Sequence, residues 1–135
     1  VTKELRDYQS LENISPSSLS NVSRKQLLQA IAHVLVNMHQ AHFQHNSLYP
    51  KHIFAKPVSN GWKIKIIDLE KMKRTMFVRQ SMLRDLGTLD RHANKDWSMK
   101  DRVFFLQQYF NEQPLSKKTK HLLHKIAKPK KAKRH

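Results

Sequence analysis

The pattern of apolar and polar positions divides the chain into four helical stretches and one hairpin. Leu27, Leu28, Ile31, Leu35 and Met38 recur at helical spacing. Ser23 followed by Gln26 reads as a capping box ahead of that stripe, which predicts a helix over about 23–42. The tract HFQHNSLYPKHIF then breaks the period, and Pro50 argues against a helix there. His52–Lys56 and Trp62–Asp68 are short β-prone runs joined through Pro57, Asn60 and Gly61, which carry turn chemistry. In the second run Trp62, Ile64 and Ile66 alternate with Lys63 and Lys65, giving one buried and one solvated face. Further helices are predicted over about 81–93 (Met82, Leu86, Leu89), 98–111 (Met99, Val103, Leu106, Phe110, capped by Ser98) and 116–127 (Leu122, Leu123, Ile126). Tyr49, Trp62, Phe104 and Phe105 are expected in the core, and Pro129 stops the last helix. The fold class expected is mainly α with a small β-hairpin, and two strands alone must pack on helices to be stable.

Length and composition narrow the function. At 135 residues there is room for one core, and 39% apolar with 27% charged residues is a globular composition. No apolar run is long enough for a transmembrane helix, and the polar start VTKELRDYQS is no signal peptide. With no cysteine, disulfides, thiol nucleophiles and cysteine zinc sites are excluded, which fits the cytoplasm. Only Gly61 and Gly87 are present, so neither a dinucleotide-binding fingerprint nor a Walker A loop exists. The charge is extreme, 26 basic against 10 acidic residues and a formal +16, and it is graded. Residues 1–44 carry +1, 45–97 carry +6 and 98–135 carry +9. Such a field draws polyanions: nucleic acid, phosphorylated sugars or an anionic membrane surface. The tail KPKKAKRH at 128–135 reads as a solvated charge run.

Chemistry concentrates in three places. His45-Asn46-Ser47-Leu48-Tyr49-Pro50-Lys51-His52 follows the long helix. Ile66-Ile67-Asp68-Leu69-Glu70 closes the hairpin, and Arg84-Asp85-Leu86 opens the next helix. Asp68 and Glu70 offer hard oxygen ligands of the kind magnesium takes beside substrate phosphates, and persisting strand alternation would turn them to one side. His52 suits a hydrogen-bonding or phosphate-positioning role better than direct magnesium ligation, because nitrogen is a poor magnesium ligand. The pairs His39/His42 and His121/His124 have helix-face spacing but no evident third ligand for a metal.

In order and spacing this trio resembles the C-terminal lobe of protein-kinase-like enzymes, and HNSLYPKHIF, IIDLEK and RDLGTL are most similar to the lipopolysaccharide kinase (Kdo/WaaP) family, in its InaA-like branch. The resemblance covers roughly residues 1–110. It implies a sugar kinase that transfers phosphate from ATP with Mg2+ to a phosphorylated sugar of the lipopolysaccharide core. It implies a cytoplasmic location, with contact at the cytoplasmic face of the inner membrane. His45 falls on the His of the catalytic loop, Ser47 on its catalytic Asp and His52 on its Asn. Asp68 falls on the metal-binding Asp, with Glu70 and His52 assisting. Asp85 falls on the helix Asp that braces the catalytic loop through backbone N–H groups. Val1–Asp7 looks like the hinge beside the adenine pocket, which makes Glu4 and Leu5 nucleotide-binding candidates within a lobe spanning 1–127. A glycine-poor chain opening on a hinge implies that the N-terminal lobe lies upstream.

Ser47 opens a second reading, since a hydroxyl cannot accept a proton as a carboxylate does. A pseudokinase-like protein would keep binding or regulation without turnover. A basic nucleic-acid-binding domain is the third reading; charge alone supports it, with no recognition-helix, RNP or zinc-finger signature.

Overall fold

The computed structural model describes residues 6–127, the side chains at 122, 123 and 125–127 excepted. Glu4, Leu5, the tail 128–135 and the apolar stripe expected from Leu122, Leu123 and Ile126 therefore lie outside the described residues or side chains.

A two-residue strand β1 (Gln9–Ser10) leads through 3-10 turns to α1 (Asn21–Gln40). Ser20 rather than Ser23 caps α1, its side chain accepting the Ser23 N–H at 3.1 Å. The buried stripe starts only at Leu27; Val22 in the first turn is apolar but exposed, so the stripe does not mark the helix start. Leu27, Ile31 and Leu35 are fully buried, each worth about 1.5–3 kcal/mol of transfer free energy.

After α1 come β2 (Phe43–Gln44), a 3-10 turn at Pro50–His52, and the hairpin strands β3 (Ile53–Val58) and β4 (Gly61–Ile66). The hairpin is antiparallel, with Val58 opposite Gly61 and Ile53 opposite Ile66. Gly61 has φ 144°, which a residue with a Cβ rarely adopts, so it closes the turn. Pro57 is tolerated because β1 reaches only as far as Ala55 on that side, leaving the outer edge of β3 free there. Trp62 Nε1 donates to the Ser23 carbonyl at 3.1 Å and pins the hairpin to α1. The chain continues through β5 (Lys73–Arg74), paired with β2, into α2 (Val78–His92), α3 (Met99–Phe110) and α4 (Lys117–Ala127). α2 begins a turn earlier than its apolar spacing suggests, because its first turn is largely exposed.

α1 packs on α3 and β4, and α2 packs on α4 and β2. α3 opens with a reciprocal capping box between Ser98 and Asp101. Asp101 also takes Arg24 Nε at 3.1 Å, tying α3 to the start of α1. Two positions of the expected apolar stripe differ: Met99 is 74% exposed and Val103 is exposed as well. MKDRVFFLQQYF has apolar residues on every face, so spacing alone could not pick the buried one; Tyr109 is buried instead. Met99 and Val103 line an apolar cavity of about 380 Å³ between α1, α2 and α3, whose walls include Leu28, Ile31, Leu86, Trp97 and Leu106. Tyr49 is only half-buried and stacks edge-on against His92, while Trp62, Phe104 and Phe105 pack on the core.

Candidate functional site

Asp85 sits in the second turn of α2, fully buried beneath the 43–52 loop. Its Oδ2 accepts the His45 N–H at 2.8 Å and its Oδ1 accepts the Asn46 N–H at 3.1 Å. Oδ2 also faces His39 Nε2 at 2.8 Å, and His39 Nδ1 lies 2.7 Å from the Tyr109 hydroxyl. A carboxylate can only accept, so His39 carries its proton on Nε2. Burial first, and the Asp85 charge second, push the Tyr109 hydroxyl well above the usual tyrosine range. Tyr109 therefore stays neutral and donates to His39 Nδ1. A relay from Tyr109 through His39 to Asp85 thus fixes the backbone at His45 and Asn46. Sequence reasoning missed His39 and Tyr109; their partners are 46 and 70 residues away, and His39 looked like half of a helix-face pair with His42. His42 instead lies exposed beyond the helix, 3.2 Å from the Thr75 carbonyl.

The loop above this bracket is equally committed. The Ser47 N–H donates to His45 Nδ1 at 3.1 Å, and His45 Nε2 donates to the Ile67 carbonyl at 2.9 Å. His45 is fully buried, and both ring nitrogens are used in holding the loop to the end of the hairpin. Asn46 adopts φ 71°, and its Nδ2 donates to the Lys71 carbonyl at 2.7 Å; Gln44 bonds its Oδ1. Ser47 is nearly buried, and its hydroxyl makes no hydrogen bond with a described residue. No buried side-chain polar atom lacks a partner among the described residues, so the small exposed part of Ser47 includes that hydroxyl.

His52 Nδ1 donates to the Ser47 carbonyl at 2.7 Å, which leaves Nε2 without its proton in the neutral ring. That nitrogen faces Asp68 Oδ2 at 3.3 Å. Two acceptors cannot sit so close without a proton or a cation to bridge them. The donor set fits magnesium, because a carboxylate at a half-open position supplies the one or two protein oxygens this ion takes beside phosphates and waters. β4 ends at Ile66, and Asp68 takes a left-handed conformation (φ 63°, ψ 56°) at the head of a 3-10 turn. Strand alternation therefore does not relate Asp68 to Glu70. Glu70 is exposed and makes no hydrogen bond or ion pair with a described residue. Among the described residues no third His, Asp or Glu joins His52 and Asp68 in a metal-binding cluster.

A long helix, a braced loop, a hairpin and a carboxylate at its far end, with the next helix's Asp beneath the loop, make the C-terminal lobe of a protein-kinase-like fold. The chain belongs to the lipopolysaccharide kinase (Kdo/WaaP) family, whose model matches residues 1–109. A solved structure of WaaP in complex with acyl carrier protein is similar over 82% of this chain, with TM-score 0.70 and 23% identity. The chain spans about half of that protein, covering 49% of it. No curated protein sequence matches the chain.

Proposed function

We propose that this lobe serves a kinase that transfers the γ-phosphoryl group of ATP, with Mg2+, to a sugar hydroxyl of the lipopolysaccharide core. The observation that carries the reading is the His52–Asp68 gap of 3.3 Å, with His52 Nδ1 already committed to Ser47. Asp68 would hold the metal, His52 would orient it or a phosphate, and Glu70 stands near enough in sequence to assist through water. Bound there, magnesium supplies charge neutralisation of the phosphates. His45 and Asp85 act as positioning residues: they fix the loop that presents Ser47 to the acceptor hydroxyl. Glu4 and Leu5 are proposed on the adenine side. The net charge of +16 suits a phosphorylated acceptor.

Ser47 favours a second reading, a pseudokinase that binds nucleotide and turns over slowly or not at all. Serine can bond the acceptor but lacks the charge to take its proton, and a general base contributes about a hundred- to ten-thousand-fold. The test is Ser47→Asp in the full-length protein, assayed for transfer to core sugars and for ATP hydrolysis. A gain of about ten-fold or more supports a degenerate kinase whose geometry survives. High wild-type activity that falls in Ser47→Asp means another base and removes the pseudokinase reading. Nucleotide binding by neither form removes both and favours the basic nucleic-acid-binding domain.

The apolar cavity between α1, α2 and α3 has room for an acyl chain. Since the WaaP structure holds acyl carrier protein, we propose an acylated carrier protein as the partner to try first. Tighter binding of the acylated than of the unacylated carrier would support this use of the cavity, and equal binding would argue against it.

A further inference from the structure

The segment that follows Asp68 is built against the usual rules of a soluble surface. Leu69 is 52% exposed, Met76 89% and Phe77 67%, three large apolar side chains within nine residues. Between and beside them Lys71, Lys73, Arg74 and Arg79 are all exposed, and residues 71–79 contain no carboxylate. The acidic neighbours are Asp68 and Glu70 at the upstream end. Packed against the segment from the other side are exposed His42 and the Phe43 ring, with Arg74 6.0 Å from that ring's centre.

Slack does not explain the exposure. The Thr75 N–H donates to the His42 carbonyl at 2.7 Å, and Asn46 Nδ2 holds the Lys71 carbonyl. β5 pairs Arg74 with Phe43 and Lys73 with Gln44. Met72, Thr75 and Val78 turn partly inward, so the segment has an inner and an outer side. Phe77 also occupies the N-cap position of α2, where it makes no side-chain capping bond. Ser, Thr, Asp or Asn there would strengthen the helix. Stability and solubility would both choose a polar residue at 77; an apolar ring held out among cations suits an interface that is apolar inside and anionic at its rim.

We propose that Leu69, Met76 and Phe77, with Lys71, Lys73, Arg74 and Arg79 around them, dock the protein on an anionic lipid bilayer. The apolar tips enter the acyl–headgroup boundary, and the cations meet the lipid phosphates above it. Among the described residues no helix is long and apolar enough to cross a bilayer, so the contact is peripheral. A nucleic acid would account for the cations but not for Leu69 and Met76. The docking surface begins at Leu69, next to Asp68, so a membrane-borne acceptor would be delivered at the candidate site. The inference stands apart from phosphoryl transfer, because it is read without turnover.

The test is co-sedimentation of the full chain with vesicles of phosphatidylcholine plus phosphatidylglycerol, against phosphatidylcholine alone, at about 0.15 M salt. Because the whole chain is basic, the deciding variant keeps every charge: Met76→Ser/Phe77→Ser should bind anionic vesicles about ten- to a hundred-fold more weakly. Val22→Ser, a control at an exposed apolar residue of α1, should bind as the parent does. In Phe77→Trp, fluorescence should be quenched by brominated lipids beyond any quenching of Trp62 and Trp97. Both serine positions are exposed and serine at 77 can cap α2, so the thermal melt should not fall. Parental binding by the double-serine variant, or no added quenching in Phe77→Trp, overturns the proposal and leaves attraction by charge alone. Failure of the parent chain to bind anionic vesicles overturns it too and points to a protein partner for this face.

Discussion

The two sides of the 43–52 loop are built to opposite rules. Beneath it, His39, His45 and Asp85 are buried, and each of their side-chain nitrogens and oxygens has a partner. Above it, Asp68 and Glu70 are exposed, His52 Nε2 lies 3.3 Å from an Asp68 carboxylate oxygen, and the following segment shows apolar side chains to solvent. The contrast separates rigidity from reactivity. A buried polar network is stable only when complete, and once complete it allows one arrangement of the backbone it holds. The open side can then leave acceptors poorly satisfied, because the loop does not depend on them for its shape.

That contrast predicts unequal responses to mutation. The largest effect belongs to Asp85→Ala, which strands the His39 Nε2–H and the N–H groups of His45 and Asn46 in the interior. The expected loss is about 3–5 kcal/mol by urea denaturation. A loss below about 1 kcal/mol would mean that the bracket does not hold the loop. Next is Tyr109→Phe, which removes one neutral hydrogen bond and should cost about 1 kcal/mol near neutral pH. Its sharper signature is pH dependence. The Tyr109 hydroxyl is raised in the folded state, so its contribution is fully present below the ordinary tyrosine value of 10 and is lost as pH rises above it. The parent should lose stability in that alkaline range faster than Tyr109→Phe does; parallel curves would contradict a buried, neutral Tyr109.

On the open side the same measurements should barely move. Asp68→Asn keeps a side chain that tolerates the left-handed backbone, so stability should stay within about 0.5 kcal/mol. A loss of several kcal/mol would place Asp68 among the structural groups. Smallest of all is Glu112→Gln. Hydrogen bonding from Thr119 and Ser116 at the head of α4 lowers the Glu112 carboxyl. A lowered carboxyl contributes above its ordinary value of 4.5 and stops contributing as pH falls through the folded value. The parent and Glu112→Gln should therefore differ slightly at neutral pH and converge in acid.

The two sides were also unequally legible in the sequence. The open side could be read because its groups sit inside short motifs: His52 in the tract after the long helix, and Asp68 just after a strand of clear alternation; on the buried side, His45 shares that tract. Asp85 was visible through its Arg-Asp-Leu setting. His39 and Tyr109 were not, because a relay across 46 and 70 residues leaves no local spacing. β1, β2 and β5 are two residues each, too short to show a period. In the Ser-rich run before α1 several side chains could serve as the cap, and Ser20 is the one that takes the Ser23 N–H. Met99 and Val103 failed for another reason: helical spacing says that a face exists but not that neighbouring helices close over it.

The cation site proposed at Asp68 can be tested directly by nuclear magnetic resonance of the isotope-labelled chain, titrated with Mn2+ in the presence of ATP. Paramagnetic broadening should begin at the amides of His52, Ile67, Asp68 and Leu69 and spread outward from them. Mg2+ should reverse it, and Asp68→Asn should abolish it while leaving the rest of the spectrum in place. Broadening centred on another carboxylate, or the same broadening retained in Asp68→Asn, would contradict a cation site at Asp68.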